Sequence, residues 1–378
     1  MAVSTKSIIQ MKIPFLHFPS THLPIKKEMM DAFEAVYDSN WFVLGKQVNA
    51  FEEAYAQYNQ VNHCVGVSNG LDALHLALKA LEIGIGDEVI VPSNTFIATV
   101  LAVSYVGATP VFVEPDGKTY NIDPKKIEAK ITGKTKAIMP VHLYGQACEM
   151  DEIMEIASKH NLYVIEDNAQ SQGATFNNKI TGSFGHINAT SFYPGKNLGA
   201  LGDSGGITSN DSNLADKART LANYGTKVKY VNDEIGYNMR MDEIQAAFLK
   251  VKLNYLNQWI EERRQIASWY DEHLAPIEQI VLPYTHPSST HTYHLYVIRT
   301  NRRDDLQKHL TEKNIGTLIH YPIPPHLQNA YANLGFAKGS FPIAEEIADT
   351  CISLPIWPGM TLDHVIYVSQ NIKSFFNP

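Results

Sequence analysis

The stretch HCVGVSNGLDALHLALKALEIG, residues 63–84, joins a short apolar run to an amphipathic one through Ser68, Asn69 and Gly70. Residues 63–67 read as a buried strand. The leucines and alanines that follow recur at helical spacing and stop at a glycine. The same unit repeats down the chain. EVIVPSN (88–94), TPVFVEP (109–115), KAIMPVHLYG (136–145), LYVIEDN (162–168) and NATSFYPG (188–195) read as further strands. TFIATVLAVSYVG and MDEIMEIASKHN read as helices between them. Alternating strands and helices imply an α/β fold: a mainly parallel, doubly wound sheet with helices on both faces.

The rhythm changes near residue 240. MDEIQAAFLKVKLNYLNQWIEERRQIASWYDEHL (241–274) keeps helical periodicity throughout and predicts one long connecting helix. Beyond it, THTYHLYVIRT, DDLQKHLTEKN, GTLIHYP and a late amphipathic run suggest a smaller α+β domain. A length of 378 residues suits two domains. The expected division is 1–250 for a large ligand-binding domain, with 1–12 peripheral. Residues 251–378 form the small one, beginning within the long helix.

Composition narrows the function. A net charge of −8 offers no broad basic face for nucleic acid. No segment approaches the about eighteen apolar residues of a membrane helix, and the amino terminus lacks the apolar core of a signal peptide. Cys64, Cys148 and Cys351 form no paired motif, which argues against a disulfide framework or a zinc site. A cytoplasmic protein without a metal is expected.

In sheets of this kind ligands bind at the carboxyl ends of the strands. At the first such end, free N–H groups of a helix reached through Gly70 form a candidate phosphate site; a simple helix cap by Ser68 or Asn69 reads equally well. VIEDNAQS (164–171) places Glu166 and Asp167 at the end of a strongly apolar strand. A carboxylate there needs a cation. That cation is a metal, or the protonated ring nitrogen of a cofactor such as pyridoxal phosphate; the group is otherwise a helix cap. NATSFYPGKNLGALGDSGGI (188–207) sets Lys196 among glycines that allow close backbone approach. A lone loop lysine is ordinarily a surface charge. Three loaded strand ends in sequence make it a candidate.

The strings SNGLDAL, PSNTFIAT, EDNAQSQGA, SFYPGKNLGALGDSGGI, GYNMRMDEIQAA and SLPIWP resemble the DegT/DnrJ/EryC family of nucleotide-sugar aminotransferases, within the fold type I pyridoxal-phosphate enzymes. The resemblance runs from about Pro14 to the carboxyl terminus. It implies a seven-stranded sheet and a homodimer with shared active sites. It also implies that Lys196 carries pyridoxal 5'-phosphate as a Schiff base and that Asp167 pairs with the ring nitrogen. Gln170 would lie beside the ring hydroxyl and Phe96 would stack on the ring. Gly70, Leu71 and Ser191 would take the phosphate, with Asn238 reaching the neighbouring subunit's phosphate. Tyr193, Tyr224, Lys227, His320 and Tyr321 are candidates for the nucleotide-sugar pocket. On single residues, core packing for Phe96, a turn or cap for Asn238 and an ordinary loop histidine for His320 stay open. The chain departs from the family's usual SGT at Ser68, Asn69 and Gly70, so the threonine hydroxyl is missing.

The resemblance further implies transamination of a nucleotide-linked keto sugar with L-glutamate as donor, the freed Lys196 amine acting as base. SFYPGKNLGALGDSGG is more similar to members that aminate carbon 3 of a dTDP-linked keto-6-deoxyhexose than to the carbon-4 group. A 4-keto enzyme is the alternative within the family, and a non-catalytic regulator on the same fold the alternative outside it. The dehydratases of the family carry histidine in place of the lysine, and Lys196 argues against them. A dinucleotide-dependent oxidoreductase would need GxGxxG after the first strand, which VSNGLDAL does not supply.

Overall fold

A computed structural model describes residues 11–377. The tail expected to be peripheral lies almost wholly outside them; Ile13, just beyond it, is 1% exposed and packs in the carboxyl-terminal core.

Seven strands form the central sheet: β1 (His63–Val67), β2 (Glu88–Pro92), β3 (Thr109–Val113), β4 (Thr135–Ile138), β5 (Tyr163–Asp167), β6 (Ile187–Ser191) and β7 (Gly205–Ser209). They lie in the order β1-β7-β6-β5-β4-β2-β3. All neighbours are parallel except β7, which runs antiparallel to both β1 and β6. Near-continuous burial along β1, β2, β5, β6 and β7 fits a sheet covered on both faces. The fold expected from alternation is therefore observed. The antiparallel strand was concealed because GGITS continues the glycine-rich run. Gly205 pairs with Val67 on one side and Ser191 on the other. That register places the carboxyl ends of β1 and β6 side by side, with Asp167 one strand further along opposite Ala189.

The helix Gly70–Ala80 begins where Asn69 caps it, the Asn69 side chain accepting from the Asp72 N–H at 2.8 Å. Ala73, Leu74, Leu76, Ala77 and Leu78 are all 2% exposed or less, so the helix is apolar nearly all round and lies inside the main core. Burying each such leucine contributes about 1.5–3 kcal/mol.

Two expected elements differ. The run 136–145 is strand only to Ile138, and a turn at Leu143–Gly145 follows Pro140. The single long helix is two, Glu243–Leu253 and Leu256–Leu274. At the junction Asn254 and Tyr255 donate to Val251 and Lys252, three residues back, in place of the four-residue ladder. A second core forms on Leu256–Leu274, where Tyr270 stacks on Tyr296 at 4.8 Å. There Tyr296–Arg299 pairs antiparallel with Cys351–Leu354, beside the helices Arg303–Glu312 and Leu362–Phe376. No helix among the described residues is long and apolar enough to cross a membrane.

Candidate active site

One cavity of about 740 Å³ opens at the carboxyl edge of the sheet. Asp167 ends β5 and is 5% exposed. Its Oδ2 accepts from the Thr99 hydroxyl at 2.8 Å and its Oδ1 from the Ala169 N–H at 3.2 Å. Burial pushes its carboxyl above the ordinary carboxylate range; the Thr99 bond and the nearby Lys196 only partly offset this. Thr99 had no distinct signal in the sequence beyond a hydroxyl near the start of a helix. It is held in turn by Thr95, whose hydroxyl lies 2.8 Å away.

Glu166, the preceding residue, points to the other face of the strand and is fully buried. Its carboxylate accepts from His142 Nε2 at 2.8 Å and from the N–H groups of Gly182, Phe184 and Gly185 at 2.8, 2.6 and 2.8 Å. His142 Nδ1 accepts from the Cys148 N–H at 3.0 Å, so the imidazole presents its other nitrogen as the donor. Glu166 has its partners within the chain; among the described residues Asp167 makes no ion pair, Lys196 being near it without a salt bridge.

Lys196 follows β6 in a tight turn, its N–H donating to the Tyr193 carbonyl at 2.8 Å. Burial outweighs the attraction of Asp167 and pushes its ammonium down to about 8, so roughly a tenth of the amine is neutral at pH 7, far more than for an ordinary lysine. Beside it, Gly70 meets Ser191: a Cβ added to Gly70 would stand 2.6 Å from the Ser191 Cβ. Glycine leaves this space open. The Gly70 and Leu71 N–H groups at the helix start have no acceptor among the described residues. Ser68, by contrast, is taken up by Asp72, to which its hydroxyl donates.

Gln170 is oriented by its surroundings. Its Oε1 accepts from the Tyr144 N–H at 2.6 Å, so its amide nitrogen faces Tyr321 and donates to that hydroxyl at 3.0 Å. The Tyr321 proton is left free to point elsewhere. Phe96 is 50% exposed, with its ring 5.2 Å from that of Tyr321. His320 bonds Ser353 through Nδ1 at 2.8 Å, and burial, with Lys196 nearby, pushes it down to about 4. Tyr193 completes this set. Arg263 and His294, which sequence reasoning passed over, also line the cavity.

Three expected residues lie apart within one chain. Asn238 is exposed in a separate depression of about 410 Å³, which shares Asp203 with the main cavity. Lys227 is exposed at a third hollow beside Arg219 and Arg240. Tyr224 lies beneath Arg240, whose guanidinium is 5.1 Å from its ring centre.

The donor set fits pyridoxal phosphate. A buried carboxylate without a cation suits a protonated ring nitrogen, and a partly neutral amine suits an aldehyde. A helix N-terminus with free N–H groups beside a serine hydroxyl suits a phosphate. Among the described residues no cluster of side chains is arranged to hold a metal ion.

Residues 24–373 match the DegT/DnrJ/EryC1/StrS aminotransferase family. Over 364 residues the chain is 51% identical to the dTDP-3-amino-3,6-dideoxy-alpha-D-galactopyranose transaminase of Aneurinibacillus thermoaerophilus, covering 96% of this chain and 99% of that one. It is 48% identical over 364 residues to the erythromycin biosynthesis sensory transduction protein EryC1 of Saccharopolyspora erythraea, covering 96% and 100%. Among solved structures, DesV of S. venezuelae superposes with a TM-score of 0.95 at 43% identity, covering 97% of this chain and 99% of that one.

Proposed function

Because the chain belongs to the DegT/DnrJ/EryC1/StrS aminotransferase family, we propose that it transfers an amino group from L-glutamate to carbon 3 of a dTDP-linked 3-keto-6-deoxyhexose, using pyridoxal phosphate. The observation that carries this reading is the meeting of Asp167, Lys196 and the Gly70–Ser191 cradle in one cavity. When bound, pyridoxal phosphate supplies an electrophilic carbon and a ring that takes up the electron pair left by a departing proton.

The chain's own residues do the rest. Lys196 would hold the cofactor, and its amine, with a pKa lowered by burial, would serve as the base that moves the proton. Asp167 keeps the ring nitrogen protonated, and Thr99 holds the carboxylate in place. Gly70, Leu71 and Ser191 would hold the phosphate, and Phe96 would pack against the ring. Gln170 would lie beside the ring hydroxyl, and by donating to the Tyr321 hydroxyl it would leave that hydroxyl's proton for the sugar, beside Tyr193 and His320. EryC1 bears a sensory name; here both Lys196 and Asp167 are present and face one cavity, which supports an enzyme.

A homodimer fits the remaining residues. Trp41, Phe42, Val43 and Leu44 are 62, 53, 40 and 42% exposed, and Val43 borders the depression that holds Asn238. An apolar rim there suits a second copy of the chain, which brings Asn238, Tyr224 and Lys227 to the partner's cavity. Cys64, Cys148 and Cys351 are free and buried, in keeping with the cytoplasm.

The test is spectroscopic and then chemical. Purified protein loaded with pyridoxal phosphate should absorb near the visible edge, and glutamate should bleach that band. A protein that takes up no cofactor refutes the reading. Assay of dTDP-linked 3-keto and 4-keto sugars side by side decides the carbon aminated; turnover of the 4-keto sugar alone overturns the proposed substrate.

A further inference from the structure

We infer that Lys252 is a positioning residue: it clamps the turn bearing Lys196 to the amino-terminal segment that walls the cavity, with His22 as its second acceptor. The inference rests on the function proposed above, since it concerns how Lys196 is held for that chemistry.

Lys252 lies on the helix Glu243–Leu253, is 2% exposed and makes no ion pair with a carboxylate among the described residues. Its ammonium donates to the Gly199 carbonyl at 2.6 Å and to His22 Nε2 at 2.9 Å. Burial pushes Lys252 down to about 8; burial, and then Lys252 itself, push His22 down to about 4, which leaves the imidazole a neutral acceptor. A buried cation without an anion lowers stability, so its two partners indicate what it holds.

Both partners belong to the site. Gly199 closes the turn around Lys196: a Cβ there would stand 2.4 Å from the Pro194 carbonyl oxygen and 2.8 Å from that of Tyr193. Tyr193 in turn accepts from the Lys196 N–H. The Gly199 carbonyl therefore cannot shift without moving the lysine turn. His22 ends a segment whose Phe15 and Leu16 line the cavity and whose Pro14 carbonyl accepts from Trp357 Nε1 at 3.2 Å. Lys252, His22 and Lys196 all line a void of about 30 Å³ that adjoins the main cavity through Leu16, Gly195, Lys196 and Arg263.

The clamp uses two N–H donors and not the charge. A primary amide keeps two donors, whereas a thioether of similar bulk keeps none. Displacing a reacting group by about 1 Å costs on the order of a hundredfold in rate. Cofactor-free full-length Lys252→Met, Lys252→Gln and His22→Phe proteins are mixed with pyridoxal phosphate. Attachment to Lys196 is followed by absorbance, borohydride trapping and peptide mass, with thermal unfolding measured in parallel. Lys252→Met should attach about 10- to 100-fold more slowly, with a matching fall in kcat and an unchanged KM for the sugar. Lys252→Gln should recover part of the loss. His22→Phe, which keeps Lys252 and its Gly199 bond, should be slowed less, and it serves where Lys252→Met does not fold. Wild-type attachment rates in Lys252→Met or His22→Phe, or equal losses in Lys252→Met and Lys252→Gln, overturn the inference. A wild-type protein that binds no cofactor refutes the proposed function instead.

Discussion

Replacing the adjacent carboxylates one at a time should separate folding from catalysis. In Glu166→Gln one carboxylate oxygen becomes an amide nitrogen. If it takes the Oε1 position, the N–H groups of Phe184 and Gly185 lose their acceptor; if Oε2, His142 Nε2 and the Gly182 N–H do. Either way two buried donors face a third. At roughly 1–3 kcal/mol for each unsatisfied group, the loss is about 2–6 kcal/mol, a large share of ordinary domain stability. Asp167→Asn should behave oppositely in the cofactor-free protein. Burial raises the Asp167 pKa above its unfolded value, so its contribution to stability is fully present below the unfolded pKa and is lost as pH rises through the folded one. At neutral pH the charge is a liability, and the neutral amide leaves the fold as stable or more so. Its activity should fall on the order of 10²–10³-fold, since it loses the charge that answers the ring nitrogen. Urea unfolding at fixed protein concentration, with activity per folded molecule, measures both. Equal destabilisation by the two variants, or an Asp167→Asn enzyme of normal activity, refutes the division of roles.

With Lys196 titrating near 8, the rate at which pyridoxal phosphate attaches should rise with pH up to about 8 and then level off. A rise continuing toward about 10.4, where an ordinary lysine titrates, would show that burial does not tune it. Gly70→Ala puts a methyl group 2.6 Å from the Ser191 Cβ, so the two segments must move apart: cofactor affinity should fall by about tenfold or more in equilibrium titration, and overpacking should lower stability by about 1–3 kcal/mol in urea unfolding. Tyr321→Phe removes a hydroxyl that Gln170 leaves free to donate; KM for the sugar should rise several-fold with cofactor affinity unchanged, as read by equilibrium titration.

What was legible in the sequence was whatever repeats along it. Strand and helix periodicity revealed the α/β layers, and the loaded strand ends gave Gly70, Asp167 and Lys196, which the fold brings into one cavity. Periodicity fails where a residue's partner is distant in the chain. Glu166 and Asp167 are adjacent carboxylates on one apolar strand. Only the three-dimensional packing shows the first surrounded by donors from 182–185 and the second turned to the cavity. The glycines of 199–206 read as a ligand loop, yet Gly205 begins a strand paired with Val67 and Ser191, and it is glycine because a Cβ there would stand 2.3 Å from the Asn69 carbonyl oxygen. The break at Asn254–Tyr255 also escaped, since the apolar rhythm crosses it without interruption.

Asn238, Tyr224 and Lys227 pose a different problem, because no single chain explains them. All three are exposed, and the hollows beside them carry Arg219 and Arg240. Arg219 is already paired with Glu52 at 2.8 Å. Among the described residues Arg240 donates only to the Asn223 amide oxygen, at 2.8 Å, and covers the Tyr224 ring, and no carboxylate pairs with it. Lys227 makes no ion pair among the described residues either, so the hollow it shares with Arg219 and Arg240 carries excess positive charge against Asp216 alone, whereas the depression that holds Asn238 also carries Asp203 and Asp242. In the proposed homodimer, a phosphorylated ligand of the second subunit would answer the charge beside Lys227, and the exposed Trp41–Leu44 edge would supply apolar contact between the copies. On that proposal the main cavity holds the reacting groups, and the hollow of Lys227 and Arg240 would serve phosphate recognition in the neighbouring copy rather than in its own.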